Sequence, residues 1–183
     1  ARRGRGEGGR GVRGGRPPLL RLFLVLALAG LPTSVAARQG AAGGEWRVSG
    51  GDLGSTKYSP LSQIDAGNVA RVTAAWEWRS PDDALAVAGS GLRSGAFKAT
   101  PIMIDGVLYV RTSLSLVAAI DAATGEELWV FDPRSYEAGR PANLGFNTRG
   151  VAHWSEGTES RIFLATGDSH LWALDAATGD PEG

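Results

Sequence analysis

A nine-residue segment that comes back 54 positions later constrains this chain more than any other feature. Val117-Ala118-Ala119-Ile120-Asp121-Ala122-Ala123-Thr124-Gly125 returns as Leu171-Trp172-Ala173-Leu174-Asp175-Ala176-Ala177-Thr178-Gly179. The same offset carries Val107-Leu108-Tyr109-Val110 onto Arg161-Ile162-Phe163-Leu164, and Thr112 onto Thr166. Ungapped similarity over two apolar runs and a turn marks one structural unit used twice. A period of this length belongs to solenoids, propellers and arrays.

Each unit reads as β. Leu108-Tyr109-Val110 and Ile162-Phe163-Leu164 are short apolar runs that lead into turn-forming residues. A second strand follows at 116–120, or at 171–174. Asp-Ala-Ala-Thr-Gly then reverses the chain: the carboxylate accepts hydrogen bonds from nearby amides, and glycine takes φ > 0 without steric cost. Glu127-Leu128-Trp129-Val130-Phe131 is the returning strand. Apolar residues fall on both parities of these strands, so both faces are expected to be covered, as in stacked four-stranded blades. Residues 82–90 come nearest to a helix, but their short Ala-Val run before Gly89-Ser90-Gly91 reads equally as a long loop. The β–α alternation of a doubly wound fold is missing. Gly89, Gly91 and Gly95 lack nucleotide-loop spacing, because the third glycine would have to stand at Ser94.

The N-terminus stands apart. Residues 1–16 hold six arginines and one acid, Glu7; then come Pro17-Pro18, an apolar run over 19–31 broken only by Arg21, and Ser34-Val35-Ala36-Ala37. A basic stretch, a short apolar run and a small-residue end are the parts of a secretory signal. The run falls short of the roughly 20 residues of a membrane span. The expected organisation is a basic extension and signal peptide over 1–37 and a β domain over 38–183, exported to the periplasm. Membrane contact is expected only through an uncleaved N-terminal segment. Residues 1–38 take eight of the nineteen basic residues and one of the nineteen acids, leaving eleven against eighteen, a net charge of −7. An acidic domain argues against nucleic acid, whose phosphates need clustered Lys and Arg. The chain has no cysteine, which removes disulfides and thiolate metal sites.

The segment from Ala119 to Trp129 fits A-x-D-x-x-T-G-x-x-x-W and resembles the tryptophan-docking unit of quinoprotein β-propellers, where the Trp of one blade packs on the turn of its neighbour. Tyr58-Ser59-Pro60-Leu61-Ser62-Gln63-Ile64, Asn68-Val69 and Ala75-Trp76 resemble the N-terminal part of alcohol and glucose dehydrogenases that use pyrroloquinoline quinone (PQQ). Ala99-Thr100-Pro101-Ile102-Met103-Ile104-Asp105-Gly106 and Asn147-Thr148-Arg149-Gly150-Val151-Ala152-His153-Trp154 are similar to further family segments. The likeness runs over about 45–180.

This resemblance implies an all-β, eight-bladed propeller with PQQ and usually Ca²⁺ on its axis. Such a propeller oxidises an alcohol or sugar hydroxyl by hydride transfer to the quinone and passes electrons to an acceptor. Eight units of this length need about 432 residues, so residues 38–183 are expected to form an incomplete propeller of about two to three blades, inactive by itself. Arg149 matches the family arginine at the quinone, and a guanidinium fork suits carboxylates and quinone oxygens. Lys98 stands where many relatives carry Glu and is a second cofactor-binding candidate. Asn143-Leu144 stand where relatives often have paired cysteines, and Gly183 where a second docking Trp would fall. The resemblance places the catalytic aspartate and the metal ligands in later blades. Asp121 and Asp175 read as turn acids, Asp168 as another, and neither His153 nor His170 has zinc-site spacing. The rival reading is a non-enzymatic propeller of the same superfamily that binds proteins in the cell envelope.

Overall fold

The computed structural model describes residues 41, 43–87, 89–142 and 145–182, all within the compact unit Arg38–Gly183. The expected signal over 1–37 and the Asn143-Leu144 position lie outside the described residues. Two antiparallel sheets make up the regular structure. The first has four strands in sequence order: β1 (Ile102–Ile104), β2 (Val107–Arg111), β3 (Val117–Asp121) and β4 (Glu127–Phe131). The second has three, β5 (Ala152–Glu156), β6 (Glu159–Ala165) and β7 (Leu171–Asp175). These are two blades of a propeller, with no closed ring among the described residues. Within the 82–90 stretch Asp82–Leu85 form a single helical turn, α1, and 86–87 and 89–90 are loop.

The blades match in register. Val107 faces Asp121 and Leu108 faces Ile120; at the 54-residue offset Arg161 faces Asp175 and Ile162 faces Leu174. Even the strained corner between the middle strands is shared, with Ser115 at φ 77° and Ser169 at φ 71°. After β7 the chain runs back along it through the Leu174–Pro181 bridge and the Glu182 N–H, which donates to the Ala173 carbonyl at 2.8 Å. Residues 180–182 thus take the place that β4 has in the first blade.

The Asp-Ala-Ala-Thr-Gly turns close as their chemistry requires. Asp121 Oδ1 accepts the N–H groups of Ala123 and Thr124 at 2.9 and 2.8 Å; Asp175 Oδ1 accepts those of Ala177 and Thr178, both at 2.8 Å. Gly125 and Gly179 end the turns at φ 77° and 76°. Each turn is then capped by a tryptophan. Trp76 Nε1–H donates to the Ala122 carbonyl at 3.1 Å, and Trp129 Nε1–H to the Ala176 carbonyl at 3.1 Å. The rings lie so close on the glycines that a Cβ on either would stand 2.6 Å from an indole carbon. Trp129 of the first blade therefore docks on the second, as the A-x-D-x-x-T-G-x-x-x-W pattern implies.

Both faces of the first sheet carry apolar packing. Ile102, Ile104, Tyr109, Val117 and Ala119 pack against Ile162, Leu164, Leu174 and Ala176 of the second sheet. Val110, Ala118 and Ile120 on the opposite face meet Trp76 and Trp78. The buried 112–120 segment is the centre of this arrangement. Packing two sheets through interdigitating apolar faces leaves the loops at the strand ends free to build a site.

Candidate functional site

The site-bearing loops meet at one end of the blades. Residues 94–100 lead into β1, and 145–150 lead into β5. The two stretches run side by side through a parallel bridge between Ala96 and Asn147. Gly95 permits this approach: a Cβ there would fall 1.5 Å from the Phe146 carbonyl oxygen. Asp82 fixes the same region from below. The residue is only 2% exposed, and its Oδ2 accepts from Ser113 Oγ at 2.7 Å and from the Leu114 N–H at 3.1 Å. Ser113 Oγ in turn accepts the Gly95 N–H at 3.2 Å and lies 2.6 Å from Ser94 Oγ. One buried carboxylate thus ties α1, the β2–β3 corner and the segment leading to Lys98.

A cleft of about 200 Å³ opens between these loops, lined by Arg111, Ser115, Phe146, Asn147, Arg149 and Gly167 among others. Its polar groups are poorly satisfied from within. Arg111 Nη2 donates to Ser115 Oγ at 2.9 Å, but its buried Nε has no acceptor. Burial holds the Arg111 guanidinium below its ordinary pKa. Asn147 Oδ1 is also buried without a donor. Arg149 is exposed and makes no ion pair among the described residues. A buried polar atom without a partner costs about 1–3 kcal/mol. A ligand with several anionic oxygens is the complement to two guanidinium groups that lack a counter-charge.

Of the sequence-predicted site residues, Arg149 lines the cleft. Lys98 does not; it sits exposed in the neighbouring stretch, two residues beyond the Ala96–Asn147 bridge, also without an ion pair. Arg111 and Asn147 were not singled out by sequence, although Arg111 carries a signal: its counterpart at the 54-residue offset is Ala165. A larger cleft of about 650 Å³ lies between the 90–96 loop and Tyr136, Arg140 and Phe146, with Arg93 on its wall. The smaller one is the stronger candidate, because two buried atoms without partners, Arg111 Nε and Asn147 Oδ1, belong to its wall. His153 Nε2 lies 3.0 Å from Ser160 Oγ, and His170 pairs with Asp168 at 3.1 Å on the surface. Among the described residues no cluster of His, Cys, Asp or Glu could hold a metal ion.

Docked tryptophans over Asp-x-x-Thr-Gly turns define a propeller of the quinoprotein type. Residues 46–182 match the family model of the PQQ glucose/ethanol/alcohol dehydrogenase β-propeller domain, and the chain belongs to that family. Among its relatives, the 1-butanol dehydrogenase (cytochrome c) of Thauera butanivorans is 37% identical, over 87% of this chain and 21% of that protein. The quinohemoprotein alcohol dehydrogenase ADH IIB of Pseudomonas putida is 38% identical, over 90% of this chain and 22% of its own length. The crystal structure of the quinohemoprotein alcohol dehydrogenase from Comamonas testosteroni superposes with a TM-score of 0.61 at 33% identity, covering 76% of this chain and 19% of that one. A europium-containing methanol dehydrogenase gives 0.56 at 26% identity, over 75% and 22%. The chain spans about a fifth of the length of these relatives.

Proposed function

We propose that this chain contributes two blades to an exported PQQ-dependent alcohol dehydrogenase, and that Arg149 and Lys98 belong to its cofactor-binding wall. The observation that carries this is the cleft with unpaired guanidinium groups at the loop end of a quinoprotein propeller. The residues present suit the group: PQQ carries carboxylates and quinone oxygens, all acceptors, and the cleft offers donors and positive charge. When bound, the quinone supplies the two-electron acceptor, and a Ca²⁺ or lanthanide ion beside it supplies charge stabilisation.

The chain's own part is to bind and to orient. Arg149 presents a forked donor pair at the cleft mouth. Lys98 adds a compact charge from the neighbouring stretch, where many relatives carry Glu. Asp82, through Ser113, holds that stretch against the β2–β3 corner, so the two cations keep their spacing. The base that takes the substrate's hydroxyl proton and the metal ligands belong to other blades. Substrate is an alcohol or a sugar hydroxyl, and the acceptor a cytochrome or a quinone.

The test is reconstitution of the complete propeller with PQQ and Ca²⁺, followed by dye reduction with short alcohols and with glucose. Alcohol-dependent reduction that requires PQQ supports the dehydrogenase; no PQQ-dependent reduction with any hydroxyl substrate contradicts it.

A further inference from the structure

We propose that Arg111 is a second guanidinium of the cofactor cleft, placed to bind a carboxylate of the quinone alongside Arg149; this rests on the cofactor reading above. Three observations on this chain converge.

The first is placement. Arg111 ends β2 and lines the same cleft as Arg149 and Asn147, which both come from the 145–150 stretch. The second is unfinished hydrogen bonding. Ser115 Oγ takes only Nη2, while Nε is buried with no acceptor, and no ion pair among the described residues reaches this side chain. A half-buried cation with a free donor is unfavourable until an anion meets it, whereas a surface arginine would leave its donors to water. The third is dispensability to the fold. The second blade builds the same corner, with Thr166 N–H donating to the His170 carbonyl at 2.9 Å, as Thr112 N–H does to the Leu116 carbonyl at 2.8 Å. It does so with Ala165 in place of Arg111. Blade geometry therefore does not ask for a cation here.

The hydrogen bond to Ser115 gives Arg111 a fixed pose. Ser115 itself is buried, at a left-handed φ of 77° on the corner. With Nη2 engaged there, Nε remains to meet an oxygen in the cleft. A carboxylate suits this geometry better than a neutral carbonyl, because a charge-assisted bond offsets more of the burial cost.

The test uses the complete propeller and two ligands, PQQ and its trimethyl ester, which keeps the quinone and lacks the carboxylates. Binding is followed by quenching of tryptophan fluorescence. Wild type should prefer PQQ. Arg111→Ala should weaken PQQ about ten- to a hundredfold and leave the ester nearly unchanged. Arg111→Lys should recover part of the loss. Should Arg111→Ala fail to fold, Arg111→Gln keeps most of the volume and should show the same loss of discrimination. Ser115→Ala, which frees Nη2, should weaken PQQ severalfold with no change for the ester. Equal losses for both ligands, or an unchanged preference in the Arg111 variants, would overturn the assignment and leave the cofactor reading standing. Absence of PQQ binding by wild type would sink both.

Discussion

At the scale of single residues, Gly125 and Gly179 show how a short motif encodes a contact 50 residues away. Each must adopt a left-handed φ and lie beneath an indole ring with no room for a Cβ. Gly179→Ala should cost more than the roughly 1–2 kcal/mol of the backbone term alone, because Trp129 has to move; urea denaturation should show it as a lower midpoint. His153 supplies a pH signature. Burial first, and then the charge of Arg47, hold its pKa below the usual histidine value. The unfolded chain, with a His pKa of about 6.5, then binds the proton more readily than the fold. The associated stability is full above about pH 6.5 and is lost as pH falls through the depressed folded value. Between pH 7 and pH 5, His153→Gln should lose less stability than wild type, and an NMR titration should place His153 below 6.5. The turn acids were legible in sequence because their hydrogen bonds are local: Asp121 and Asp175 reach only two and three residues ahead. Arg111 was not, because it meets residues 145–149 only once the chain is folded.

At the scale of elements, strands β2, β3 and β4 fall where the short apolar runs and the Asp-Ala-Ala-Thr-Gly turn put them. Period and turn chemistry suffice there, since each strand pairs with its sequence neighbour. The long connections resisted such reading. The 94–100 and 145–150 stretches have no alternation of their own and are set by the Ala96–Asn147 bridge, by the room at Gly95 and by Asp82. Asp82 gave no signal beyond a loop acid, yet it is nearly inaccessible. Asp82→Ala leaves the Ser113 hydroxyl and the Leu114 N–H without their acceptor, at about 1–3 kcal/mol each. Its thermal midpoint should fall, and amide exchange should quicken at Gly95 and Leu114 rather than in β7. The blade interface has its own test. Trp129→Ala should cost about 3–5 kcal/mol by lost packing, while Trp129→Phe should lose mainly the bond to the Ala176 carbonyl, about 1 kcal/mol.

At the scale of the whole molecule, the face of the first sheet that meets Trp76 and Trp78 is only partly covered. Trp76, Trp78, Phe97, Pro101, Leu108 and Val110 border a cleft of about 420 Å³ there, and Phe97 is 53% exposed. Trp76 docks on the Asp121 turn just as Trp129 docks on the next, yet residues 72–80 join no sheet among the described residues. An apolar face of this kind is where another blade belongs. Residues 1–183 alone should therefore bind a hydrophobic dye that the complete propeller excludes. The same division of labour governs the cofactor. On the proposed reading the two blades would give one cationic wall, with the remaining contacts supplied from elsewhere in the ring. The most direct measurement is a PQQ titration of the complete propeller, its Arg149→Ala variant and residues 1–183 alone, followed by absorbance. The complete protein should bind tightly, Arg149→Ala about ten- to a hundredfold more weakly, and the two-blade chain more weakly still. Equal affinity for the complete protein and Arg149→Ala, or tight binding by the two-blade chain alone, would contradict a shared site with Arg149 in its wall.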